Sequence, residues 1–169
     1  MPAHPFALLL AGGDRRSIGA ANEVARAVLA RPDRVPELWS CLSDPDQIVR
    51  MRAADALQKV AEENPSLVAP YKAALLDGRM EDGTAEMRWN LLAILPLLPL
   101  SPAEAGQAVT RCAALFAEDR SRIVRVVALQ AAHDIAHLHP AFHPVFAAMR
   151  DAAINSPIPS IAARARKLL

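Results

Sequence analysis

The sequence predicts an all-α fold built from about five stacked helix pairs. Three observations carry that prediction. The composition is helical: Ala and Leu dominate, aromatic residues make up only 4% of the 169, and there are 6 glycines. A chain poor in β-branched and aromatic residues and rich in Ala and Leu favours helix over sheet. A six-residue Asp-to-Arg spacing also recurs, at Asp44–Arg50, Asp82–Arg88 and Asp119–Arg125, with offsets of 38 and 37 residues between copies. A fixed period of this length is the mark of a repeat architecture. Finally, paired prolines (Pro32/Pro36, Pro65/Pro70 and Pro140/Pro144) recur before short apolar runs. Proline sits well in the first turn of a helix and stops the one before it, so each pair marks the end of one helix and the start of the next.

The elements follow in order. Phe6–Leu10 is the remnant of a first helix, Gly12-Gly13-Asp14 its turn, and 17–31 (Ile18, Ala21, Val24, Ala25, Val28) its partner. Thereafter the first helix of each pair is expected near 33–43, 66–77, 102–117 and 141–153. The second is expected near 46–63, 84–98, 121–138 and 159–168. Asp44 and Ser156 precede second helices and can cap them. Another period beyond Asp119 lands on Ser156, with Ala162 in the Arg slot, so the last unit is degenerate. The chain thus divides into one repeat domain over 1–169: an atypical N-terminal cap at 1–32, then units at 33–64, 65–99, 100–139 and 140–169. Atypical end units are normal in such stacks.

These residues resemble the HEAT-repeat family, whose pattern is a helix, a turn with Asp, then Val-Arg and a second helix with spaced small residues. The matches are Asp44/Val49/Arg50/Ala53/Leu57, Asp82/Met87/Arg88 and Asp119/Val124/Arg125/Ala128, and the resemblance covers about 33–169. It implies a right-handed α–α superhelix, a HEAT-like solenoid. It also implies a ladder of Asp44, Asp82 and Asp119 with Arg50, Arg88 and Arg125 between neighbouring units, and second helices that line a concave surface. A recurring register position usually serves the stack, so these arginines read as structural partners ahead of anion ligands.

The face of the second helices turned away from the core follows from helix geometry. With Val49 at the centre of the buried stripe and about 100° per residue, Ala53, Leu57 and Val60 lie within about 80° of it. Met51, Asp55, Gln58 and Glu62 point away. The same slots hold Trp89, Ala93, Pro96 and Leu100 in the next unit, and Val126, Gln130, His133 and His137 in the one after. The candidate partner-binding face is therefore Met51, Asp55, Trp89, Ala93, Val126, Gln130 and His133. Trp89 has two readings. It is either a groove anchor, as tryptophans at interfaces are, or part of a helix that is apolar nearly all round and simply buried. Trp39, beside Leu38 and Leu42, reads as core.

His133 and His137, four residues apart, share a helix face as a metal pair would, with His139 or His143 as the only nearby third ligands. No His-Glu dipeptide occurs, so the activity of iron-binding HEAT-like hydroxylases, which rest on that dipeptide, is not expected. There is no Gly-rich phosphate loop, nucleophile elbow or Cys–His arrangement. The two cysteines, Cys41 and Cys112, form neither a disulfide framework nor a zinc spacing. A formal charge of +1 argues against a dedicated nucleic-acid binder. The apolar runs Phe6–Ala11 and Leu91–Leu100 are too short to span a membrane, and no basic segment precedes the first. The expectation is a cytoplasmic, non-enzymatic scaffold with no cofactor, binding an unidentified protein, as a peptide or partner helix, on its concave face. Two alternatives remain: a nucleic-acid-binding HEAT-like protein of the alkylation-repair type, and a metal-dependent enzyme at His133/His137. The Leu91–Leu100 segment and the end repeats could also stack two chains into a homodimer.

Overall fold

A computed structural model describes residues 5–14, 17–78 and 83–168. It is all-helical, with no strand among these residues. The helices are α1 (Pro5–Leu10), α2 (Ala21–Ala30), α3 (Val35–Ser40), α4 (Gln47–Glu63), α5 (Lys72–Asp77), α6 (Ala85–Ile94), α7 (Pro102–Glu118), α8 (Arg122–Leu138), α9 (His143–Ile154) and α10 (Pro159–Lys167). Short 3-10 turns account for the main differences from the expected spans. Pro32–Arg34 and Cys41–Ser43 bracket α3, two such turns precede α5, one precedes α9, and Leu95–Leu97 ends α6. Most of these turns carry a proline in their first two positions. Proline lacks the N–H that would extend the α-helical ladder through it.

The even-numbered helices lie side by side, α2 on α4, α4 on α6, α6 on α8 and α8 on α10. The odd-numbered ones form a second layer in which α1 meets α3, α5 meets α7 and α7 meets α9. The buried stripe falls where periodicity placed it. Val49, Ala53, Leu57 and Val60 of α4 are buried, as are Met87 and Leu91 of α6 and Val124 and Ala128 of α8. Alanines crowd these contacts, with Ala53, Ala54, Ala56 and Ala61 on α4 and Ala128, Ala131, Ala132 and Ala136 on α8 all buried.

Four helices, α4, α6, α7 and α8, start on side-chain caps. Thr84, Ser101 and Ser121 accept hydrogen bonds from the amides of Met87, Glu104 and Val124. Ser101 and Glu104 complete a reciprocal capping box. The cap of α4 corrects one expectation. Asp46, not Asp44, accepts from the Ile48 amide at 2.8 Å, while Asp44 accepts from the Asp46 amide and so shapes the turn. At α10, Ser156 accepts from the Ile158 amide, and the N-cap position itself is Ile158.

Among the described residues, one rung of the inferred Asp–Arg ladder is present. Arg88 of α6 donates from Nε to Asp119 Oδ2 at 2.8 Å and from Nη2 to Oδ1 at 3.3 Å, and Nη1 donates to the Gly83 carbonyl. The fork geometry suits a guanidinium–carboxylate pair. Arg50 and Arg125 donate to backbone carbonyls, Asp44 O at 2.7 Å and Phe116 O at 2.6 Å. Asp82 lies outside the described residues. Arg125 lacks an onward carboxylate for a reason visible in the sequence, since the corresponding position of the last unit is Ser156.

A different arginine holds the N-terminal unit. Arg52 is 2% exposed, and its guanidinium donates to four backbone carbonyls: Leu10 (2.7 Å), Gly12 (2.6 Å), Asp14 (2.9 Å) and Ser17 (3.1 Å). The loop between α1 and α2 is wrapped around it. Gly19, at φ +50°, closes the wrap, and a Cβ there would lie 2.7 Å from Arg52 Cζ. On the other side, the Phe6 amide donates to Glu37, which pairs with Arg34, and the Arg34 guanidinium lies 3.8 Å from the centre of the Phe6 ring.

Arg52→Ala removes four charge-assisted bonds and leaves their carbonyls unsatisfied, at a cost of roughly 3 kcal/mol. Limited proteolysis should then cut first within 11–19, and the denaturant midpoint should fall; unchanged cleavage kinetics would remove the clamp from this account. A second outcome concerns acid. Lys72 of α5, and then the Ser101 amide, hold the Glu104 carboxyl down at about 2, against an ordinary 4.5. A depressed carboxyl stabilises the fold above its unfolded value, and that contribution disappears as pH falls through the folded one. Glu104→Gln should therefore flatten the loss of stability between about pH 4.5 and 2, measured by urea unfolding across that range.

Candidate functional site

The outward slots of α4 and α6 meet at a cleft of about 330 Å3. Its walls are Met51, Arg52 and Asp55 from α4, and Glu86, Trp89 and Asn90 from α6. Ser17 and Ile18, from the loop clamped by Arg52, close one end. Three of the seven candidate residues, Met51, Asp55 and Trp89, are thus brought together across two helices. Trp89 is half-buried, which fits a wall residue of an open cleft. Met51 corrects the expectation of an outward side chain, being only 8% exposed. The neighbouring helix covers it, and the loop at Ile18 adds a wall that helix periodicity could not foresee.

The remaining candidates stand apart. Val126 lines a separate hollow of about 330 Å3 with Arg122, Ile123 and, from α10, Ser160. Ala93 is half-buried on α6. Gln130 ties two helices together: its amide nitrogen donates to Asp134 at 2.8 Å, and its oxygen accepts from Arg164 of α10 at 3.1 Å. His133 shares a 2.8 Å hydrogen bond with Asp134 and sits edge-on to Phe146 of α9, with ring centres 5.1 Å apart. His137 is exposed at the end of α8. Among the described residues no group of three or more His, Cys, Asp or Glu side chains is placed to hold a metal ion. Trp39 is half-buried and stacks on Tyr71 at 4.3 Å.

Within the cleft the polar groups are unequal. The Arg52 charge is turned inward onto its four carbonyls. Asn90, also buried, donates to the Glu86 carbonyl at 2.9 Å. Asp55 is half-buried and paired with Lys59 one turn along α4. Such same-helix pairs contribute only about 0.3–0.5 kcal/mol, so a competing cation can displace one. Sequence reasoning missed Arg52, Asn90, Glu86, Ser17 and Ile18. Two of them carried a signal. Arg52 is three residues after Val49 and Asn90 three after Met87, which puts both inside the buried stripe at the same repeat position. A polar residue twice in one buried slot marks a place where the backbone of a neighbouring element needs a partner.

The cleft and the two helical layers define a helical protein with an apolar-floored recess and acidic groups in its wall. No protein-family model, curated protein or solved structure matches the chain. No helix among the described residues is long and apolar enough to cross a membrane.

Neither cysteine is placed for nucleophilic chemistry. Burial, with Asp44 and Glu37 nearby, pushes the Cys41 thiol up to about 11, and burial pushes the Cys112 thiol up to about 12. Thiols held this far from ionisation react slowly. A native sample at neutral pH should give almost no fast reaction with a disulfide reagent, and both thiols should titrate after unfolding; a fast native phase would show one of them to be activated.

Proposed function

We propose that this chain is a HEAT-like α-solenoid that works as a non-enzymatic binding module, taking a peptide or helix of a partner protein along the face of its even-numbered helices. The observation that carries the reading is the cleft between α4 and α6. There a half-buried tryptophan and a methionine from equivalent slots of successive units share one recess. A half-buried tryptophan in a concave recess is the usual form of an interface anchor, joining a large apolar area to one N–H donor. The repeat reading is supported by Val49, Met87 and Val124, all buried at one register position, by Arg52 and Asn90 at another, and by the Arg88–Asp119 rung between units. The hollow at Val126 and Ile123, the latter 51% exposed, extends the same face toward α10.

The test is selection of ligands from a random peptide display library on the full chain, followed by Trp89→Ala. Selected peptides should lose roughly tenfold or more in affinity on the variant, with helicity unchanged by circular dichroism. Peptides that bind wild type and variant alike place the site elsewhere. Retention on DNA that falls steeply with salt would replace this reading with a nucleic-acid one.

A further inference from the structure

We infer that the hollow between α8 and α10 binds an acidic side chain of the partner protein, a glutamate or aspartate read at the α10 end of the even-numbered helix face. This rests on the proposed peptide-binding face and adds the chemistry selected at that end. The sequence separates charge along the chain. Residues 120–169 carry seven Arg and Lys against two Asp, whereas residues 1–119 carry twelve against sixteen Asp and Glu. Both acidic groups of the basic segment are already committed. Asp134 is hydrogen-bonded to Gln130 and His133, and Asp151 pairs with Arg150. Asp119, in the turn before α8, is held by Arg88 and by the Ser121 amide.

The cations at the hollow are not committed in this way. Arg122, Ile123 and Val126 line it from α8, and Ser160 from α10. Arg122 and Ser160 are exposed, and among the described residues neither side chain has a hydrogen-bond or ionic partner. Arg164, one turn along α10 from Ser160, donates to the Gln130 side-chain oxygen at 3.1 Å, a neutral acceptor that leaves its charge in place. A carboxylate entering here is offered the forked N–H donors of Arg122 and the Ser160 hydroxyl, while its aliphatic stem covers Ile123 and Val126. A basic side chain would meet two arginines and no open acceptor. An apolar one would desolvate the Arg122 guanidinium without giving it a partner. A nucleic-acid phosphate shares the charge but not the apolar contact. The lining holds no aromatic ring for a base to stack on, and the acidic excess of residues 1–119 opposes a long polyanion.

The test titrates the full chain with acetyl-Glu-Leu-Glu amide, with its neutral counterpart acetyl-Gln-Leu-Gln amide, and with a short oligothymidylate. The reporter is the Ile123 δ-methyl resonance, identified by its loss in Ile123→Val. The Glu peptide should shift it saturably and bind roughly fivefold more tightly than the Gln peptide at low ionic strength. Arg122→Gln should erase that preference. Arg166→Gln removes an equal charge from α10 at about 200° from Arg164 around the helix, and should keep it. Equal shifts from the two peptides overturn the charge selection and leave the hollow as an apolar extension of the proposed face. A preference that survives Arg122→Gln, or that falls as far in Arg166→Gln, overturns the assigned contact. A larger and steeply salt-dependent shift with the oligothymidylate overturns the acidic peptide in favour of nucleic acid. No response to either peptide, while library-selected peptides still depend on Trp89, refutes the hollow alone. Selected peptides indifferent to Trp89→Ala refute the underlying reading instead.

Discussion

The close approach of the even-numbered helices is the constraint on which the rest of this structure depends. Alanines make up four of the nine buried residues of α4 and four of the seven of α8. Small side chains bring helix axes near one another, so each second helix can rest on the next with little room between. This accounts for a composition rich in alanine and poor in aromatics. α6 differs in composition. Its buried residues are Met87, Asn90, Leu91, Leu92 and Ile94, with Trp89 on the adjoining surface. The recess lies between α4 and α6, with Trp89 and Met51 in its walls.

Arg52 adds a second constraint to the first. Four carbonyls from one loop converge on a single guanidinium, so the charge is desolvated without any carboxylate among the four acceptors. Burying a cation this way is tolerable only when nearly every donor is matched. The loop must therefore keep its path, and Gly19 is the residue that lets it. Ser17 and Ile18 inherit their positions at the cleft mouth from this wrap. The segment from α1 to α2 thus supplies a wall to the recess.

Much of this was legible in the sequence, for reasons that differ from residue to residue. The long second helices α4 and α8 were placed to within a residue or so, because a 3.6-residue apolar period over five turns leaves little freedom. The short first helices were less legible. Proline pairs announce a break, but they do not say whether the next turn is α or 3-10, and α3 and α5 are accordingly shorter than expected. The ladder was only partly legible. A recurrent Asp and Arg specify donors and acceptors, not partners. Arg50 finds the carbonyl of the very aspartate with which it was matched, and Arg125 finds that of Phe116. Met51 and Trp89 were legible as equivalent slots, whereas Ile18 was not, since it reaches the cleft through a loop whose course is fixed by contacts from a distant part of the chain.

The two polar residues in the buried stripe show where the periodic reading holds most information. An apolar repeat explains why a helix is buried, and it predicts nothing at the position where the repeat is broken. Arg52 and Asn90 break it three residues after Val49 and Met87, and both line the recess between α4 and α6. Their hydrogen bonds are satisfied within the protein, Arg52 to a loop and Asn90 to the preceding turn of its own helix. What they present to the cleft is therefore hydrogen-bonding capacity already used within the protein. On the proposed repeat reading, near-equivalent helix pairs acquire a distinct recess in this way. On that reading the shared register supplies the shape, and the departures from it, Arg52 and Asn90, give the recess its polar wall.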